Sequence, residues 1–176
     1  MDRFLEYAAG DVMTHRPIAI GSHATLAEAE RIFERFGFNS LPVHDGEALL
    51  GVLTKLDLLR ALEPAAGGSP VSFESIMAQE VRSVMTRDPV TVEPRTPLTR
   101  VLQIMVESRY KSLPVVIGAL LLGFISREDV IRAVRRAAVD QGPEPVHYWR
   151  AMPAGTGDPQ GEAPTTRRDA PLPSVV

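Results

Sequence analysis

This chain is written twice, and the duplication constrains its fold more than any other feature. Val12-Met13-Thr14-His15-Arg16-Pro17 is answered by Val84-Met85-Thr86-Arg87-Asp88-Pro89, a displacement of 72 residues. The same displacement relates Ser40-Leu41-Pro42-Val43 to Ser112-Leu113-Pro114-Val115, and Leu49-Leu50-Gly51 to Leu121-Leu122-Gly123. It also relates Asp57-Leu58-Leu59-Arg60-Ala61 to Asp129-Val130-Ile131-Arg132-Ala133. A fixed period held without a gap marks a repeated structural unit. A unit of roughly fifty residues buries too little surface to stand alone, so the two copies are expected to pack together about a pseudo-twofold axis.

Each copy reads as strand, helix, strand, strand, helix. In the first, residues 17–20 are expected as a short strand. Thr25 caps a helix whose apolar face is Leu26, Ala29, Ile32, Phe33 and Phe36, and Gly37 ends it. Two strands flank the Asp45-Gly46 turn, and a second helix starts at Thr54 and runs to about Leu62. The second copy repeats this plan with Leu98, Val101, Leu102, Met105 and Val106, and its more apolar hairpin, 115–125, is expected to be buried on both faces. The chain therefore divides into an N-terminal segment (1–9), repeat 1 (10–63), a linker with a short helix (64–81), repeat 2 (82–138) and a tail (139–176). Seven prolines and four glycines in residues 141–176 predict a largely disordered tail, with Trp149 as a potential anchor.

Composition removes whole classes of function. The absence of cysteine excludes disulfides, cysteine-ligated zinc, iron–sulfur clusters and thiol nucleophiles. A net charge of -3 argues against a general nucleic-acid binder. No apolar run is long enough to span a bilayer, and the acidic N-terminus does not resemble a secretory signal, so a cytoplasmic, non-membrane protein is expected. His15, His23, His44 and His147 show no metal-ligand spacing, and Met13 with Met85 reads as repeat core rather than as a pair of thioether ligands. Neither a glycine-rich phosphate loop nor a nucleophile elbow is present.

The chemistry concentrates where each repeat ends, in Gly51-Val52-Leu53-Thr54-Lys55-Leu56-Asp57 and Gly123-Phe124-Ile125-Ser126-Arg127-Glu128-Asp129. A strand enters a helix through a hydroxyl residue, with an aspartate three positions later. That pattern is a capping box. The same geometry also presents free N–H groups to an anion and a carboxylate to a ribose diol. The motif alone supports both readings equally; its occurrence at two places in a repeat pair favours binding.

Taken together and in duplicate, Val-Met-Thr-x-x-Pro, Ser-Leu-Pro-Val and Gly-x-x-Thr/Ser-x-x-Asp resemble the cystathionine-β-synthase (CBS) domain pair, or Bateman module, over about 10–138. The resemblance implies an α/β fold of two βαββα units, a disk-like homodimer, and clefts binding AMP, ADP, ATP, S-adenosylmethionine or NAD as regulatory ligands rather than catalytic cofactors. By position, Asp57 and Asp129 would hold ribose hydroxyls, and Thr54 and Ser126 would lie near phosphates. Thr14, Pro17 and Ile18, with Thr86, Pro89 and Val90, would contact base or ribose. Leu41 and Pro42, with Leu113 and Pro114, would line the pocket. Lys111 precedes the second Leu-Pro-Val strand where the first repeat has Asn39, which makes the second cleft better provided for a phosphate. Lys55 and Arg127 either add cations beside the hydroxyls or sit solvated.

The function these features imply is a non-catalytic sensor of an adenosine-containing ligand, acting on an unidentified regulated protein. The alternatives are a ligand-free dimerisation module whose aspartates only cap helices and, less favoured, a nucleotide hydrolase using the paired aspartates.

Overall fold

The computed structural model describes residues 2–63 and 71–139. The tail's expected disorder, and His147 and Trp149 with it, lie outside these residues. In repeat 1, β1 (Thr14–His15) and β2 (Ile20–Gly21) are followed by α2 (Leu26–Phe36), β3 (Ser40–Asp45), β4 (Ala48–Thr54) and α3 (Lys55–Ala61). Repeat 2 contains β5 (Thr86–Arg87), α5 (Leu98–Ser108), β6 (Ser112–Ile117), β7 (Leu120–Ser126) and α6 (Arg127–Ala138). Helix α1 (Ala9–Val12) opens the first repeat, and α4 (Phe73–Met77) with a 3-10 turn at Val81–Ser83 leads into the second.

Local sequence fixes these elements much as expected. Thr25 caps α2 in a reciprocal box with Glu28, and Gly37 closes the helix in the left-handed conformation at φ 68°. Both hairpins turn through two residues with a positive-φ glycine first, Gly46 and Gly118. The first strand is a correction. Residues 17–20 do not form one strand; two short pairings, Thr14–His15 and Ile20–Gly21, flank an irregular stretch. Arg16 at φ 46° breaks the extended run and Pro17 has no N–H to give a ladder; Asp88 and Pro89 repeat the arrangement. The second hairpin is also less buried than expected. Val115, Val116 and Ile125 are buried, but Ile117 is 60% exposed and Leu120 40%, because they lie at the tip.

The seven strands of the described residues form one curled sheet in the order β1-β7-β4-β3-β2, with β5 also on β4 and β6 on β7. The repeats trade their leading strands. Thr14 and His15 pair antiparallel with Phe124 and Gly123 of repeat 2, while Thr86 and Arg87 pair with Val52 and Gly51 of repeat 1. The hairpin tips meet in the same symmetric fashion, the Leu49 N–H donating to the Ala119 carbonyl and the Leu121 N–H to the Glu47 carbonyl.

The cores follow the exchange. Phe4, Tyr7, Ala9, Val12 and Met13 pack with Leu98, Val101, Leu113, Ile125 and Val130 of repeat 2. Met77, Val81, Val84 and Met85 complete the core of Leu26, Phe33, Leu41, Leu53 and Leu58 in repeat 1. The segment leading into each repeat, with that repeat's first residues, therefore serves the other one. Met13 is a core residue, as expected, and Met85 packs against the other core half-buried. Gly51 and Gly123 admit them: a Cβ on Gly51 would sit 2.5 Å from the Thr86 carbonyl oxygen and 2.9 Å from the Met85 sulfur. One on Gly123 would strike the Met13 sulfur and lie 3.0 Å from the Thr14 carbonyl oxygen.

Candidate functional site

The strand exchange creates a cleft at the junction of the repeats. It encloses about 360 Å³, within the range of small-molecule sites of roughly 300–1,000 Å³. One wall brings Thr14, Pro17, Ile18, Phe38 and Asn39 from repeat 1; the other brings Lys111, Phe124, Ser126, Glu128, Asp129 and Arg132 from repeat 2. Ser40 and Ser112, which are related by the 72-residue shift, hydrogen-bond to each other between the walls.

Asp129 has two tasks at once. Its Oδ2 accepts from the Ser126 N–H at 2.8 Å and from the Ser126 hydroxyl at 2.7 Å, while its own N–H donates to Ser126 Oγ at 3.3 Å. This is the capping box. Its Oδ1 accepts from Arg132 Nη1 at 3.0 Å. Asp57 repeats the scheme with Thr54 at 2.8 and 2.6 Å, and its Oδ1 lies 3.6 Å from Arg60 Nη1. Both carboxylates are buried, with 6% and 7% of their residue surface exposed, yet each is fully partnered. The capping reading of the motif is therefore correct in geometry. It spends one carboxylate oxygen and leaves the other on an arginine at the cleft wall.

The other expected site residues divide. Thr14, Pro17, Ile18, Lys111, Ser126 and Asp129 line this cleft together. Thr86 pairs with Val52, two residues from Thr54, and Thr86, Pro89 and Val90 lie outside the Asp129 cleft, as do Thr54 and Asp57. Leu41, Pro42, Leu113 and Pro114 are fully buried beneath the clefts, and none of the four is among the residues lining the Asp129 cleft. Arg127 turns away: its guanidinium donates to the carbonyls of Tyr110 at 2.9 Å and Arg109 at 2.6 Å. Lys55 lies over the Phe33 ring at 6.0 Å. Among the wall residues not anticipated are Arg132, Glu128, Phe38 and Phe124. The Asp-x-x-Arg spacing shared by both repeats was the readable signal for Arg132.

Among the described residues no group of three or more His, Asp or Glu side chains is placed to hold a metal ion, and no helix is long and apolar enough to cross a membrane.

A two-repeat α/β fold with exchanged leading strands and an inter-repeat cleft defines a paired-repeat module. The chain belongs to the CBS-domain family, whose model matches residues 9–64 and 81–136. It is 28% identical over 139 residues to the A-adding tRNA nucleotidyltransferase of Geobacter sulfurreducens, covering 79% of this chain and 14% of that protein. It is 30% identical over 114 residues to the inosine-5'-monophosphate dehydrogenase of Korarchaeum cryptofilum, covering 64% of this chain and 21% of the enzyme. The chain thus spans less than a quarter of either relative. The crystal structure of CBSX2 from Arabidopsis thaliana in complex with AMP is similar at a TM-score of 0.65 and 25% identity, over 75% of this chain and 98% of that one.

Proposed function

We propose that this protein is a non-catalytic cytoplasmic sensor whose inter-repeat clefts bind an adenosine-containing ligand, AMP, ADP or ATP or a relative such as S-adenosylmethionine or NAD. The observation that carries the reading is the Asp129 cleft. A buried carboxylate, a helix N-terminus, and an aromatic and apolar wall from the opposite repeat converge on one space of ligand size. The likeness to AMP-bound CBSX2 supports it. In this reading Asp129 and Asp57 hold ribose hydroxyls, Ser126 and Thr54 lie near phosphate, and Thr14, Pro17, Ile18, Thr86, Pro89 and Val90 contact base or ribose. Each cleft draws on both repeats, so a ligand bridging them favours one relative orientation, which a regulated protein reads by linkage.

A thermal melt tests the reading directly. At a hundred times its dissociation constant, the true ligand adds about 2.7 kcal/mol and raises the melting temperature, and its phosphates survive long incubation. No shift with any adenosine compound sinks it. The capping geometry favours one rival, a module that dimerises without ligand, and that rival predicts this flat result.

We also propose that the protein is a homodimer. Leu58 and Val130 are buried in their own cores and add nothing to an association surface. Leu59 and Ile131 remain 63% and 59% exposed, joined by Leu56 and Val106. Covering this surface with a second copy is favourable. Light scattering at micromolar concentration is expected to give twice 19.2 kDa; a monomer mass overturns the proposal.

A further inference from the structure

Four charged side chains line the Asp129 cleft, and they sum to zero: Lys111 and Arg132 against Glu128 and Asp129. Arg132 is already committed to Asp129 at 3.0 Å. The charge that an incoming ligand meets is therefore set by Lys111 and Glu128. Among the described residues the Glu128 carboxylate has no hydrogen-bond or ion-pair partner in the protein.

Glu128 is not part of the plan the repeats share. Asp129, Arg132 and Ser126 have Asp57, Arg60 and Thr54 as counterparts at the 72-residue shift, but Glu128 answers to Leu56. An acid in the first turn of a helix suits the helix dipole. Helix α3 nevertheless starts with the same capping box and no acid at that position, so the cap does not require Glu128. What distinguishes Glu128 is its place on the cleft wall, one residue before the buried carboxylate and close to the helix N-terminus that would otherwise attract an anion.

We infer that the Asp129 cleft selects adenosine ligands of little net negative charge, and that Glu128 is the residue that disfavours further phosphates. This rests on the adenosine-binding reading above. Lys111 supplies one positive charge, and Glu128 offsets it, so each phosphate added to the ligand meets a site with no surplus of cations. The expected preference runs from adenosine, S-adenosylmethionine and AMP down to ATP.

The test is calorimetric titration of the full chain and of its Glu128→Gln and Glu128→Leu variants at low salt, with adenosine, S-adenosylmethionine, AMP and metal-free ATP. Glu128 is exposed and outside the cap, so both variants are expected to fold with a melting temperature within a few degrees of wild type, the helix-dipole contribution being small. Wild type is expected to bind AMP more tightly than ATP. Both variants should gain about tenfold in ATP affinity while adenosine affinity stays within about twofold. The gain should shrink as salt screens the exposed carboxylate. Unchanged or weakened ATP binding in both variants, with AMP still bound, overturns the inference and leaves the sensor reading standing. If no adenosine compound binds the wild type, the sensor reading fails, and this inference with it.

Discussion

Gly51→Ala is expected to destabilise the protein by about 3 kcal/mol, the upper end of the usual cost of overpacking. The added methyl has nowhere to go: it would stand 2.5 Å from the Thr86 carbonyl oxygen, a backbone atom fixed in the exchanged β4–β5 pairing, and 2.9 Å from the Met85 sulfur. For a domain of this size the melting temperature should fall by on the order of 10 °C. Gly123→Ala is expected to cost less. Its closest neighbour is the flexible thioether of Met13, with backbone no nearer than 3.0 Å. Thermal melts of the two variants measure both the loss and its order. A Gly51→Ala protein that melts with wild type would mean that the strands do not cross this closely.

On the adenosine-binding reading, Asp129→Asn should lower AMP affinity at least tenfold, because a ribose diol held there would lose charge-assisted hydrogen bonds. The structure adds a stability cost that the sequence does not reveal. Oδ2 takes both a backbone N–H and a hydroxyl proton from Ser126, while Oδ1 takes one from Arg132. An asparagine can serve only one of these sides with its oxygen and turns an amide N–H₂ toward the other. A loss of about 1–2 kcal/mol is therefore expected, lowering the melting temperature without unfolding the chain at room temperature. Asp57→Asn should show a similar stability loss, and its effect on total binding reports whether the counterpart cleft is occupied. Titration at 20–25 °C with AMP, on protein shown to be folded, separates the two roles. Undiminished affinity in both variants makes the carboxylates helix caps and nothing more.

The repeat, the order of elements and the two aspartates were legible in the sequence because they are local patterns: a register of 72, a capping hydroxyl, an apolar face with helical spacing. The exchange of leading strands was not. Nothing in Thr14-His15 states that its partner is Phe124 rather than a strand of its own repeat, since pairing across more than a hundred residues leaves no local mark. The missed wall residues share that origin: Phe38 and Phe124 face one cleft only because the repeats cross. For Arg127 the sequence left two readings open, a cation beside the hydroxyl or a solvated residue. Its sequence position beside Ser126 suggested a phosphate cation, but the carbonyls of Arg109 and Tyr110 lie within reach of its fork and fix it there.

The crossing also orders events in time as the chain leaves the ribosome. Repeat 1 is closed by Met77–Met85, which emerges soon after it, so its core can consolidate while repeat 2 is still being made. Residues 4–13 leave the ribosome before repeat 2 and consolidate after it, since the groove that receives them is not complete until α6 has formed. That late, long-range docking is the step topology makes slow, and until it happens Phe4, Tyr7, Val12 and Met13 are open to chaperones and to aggregation.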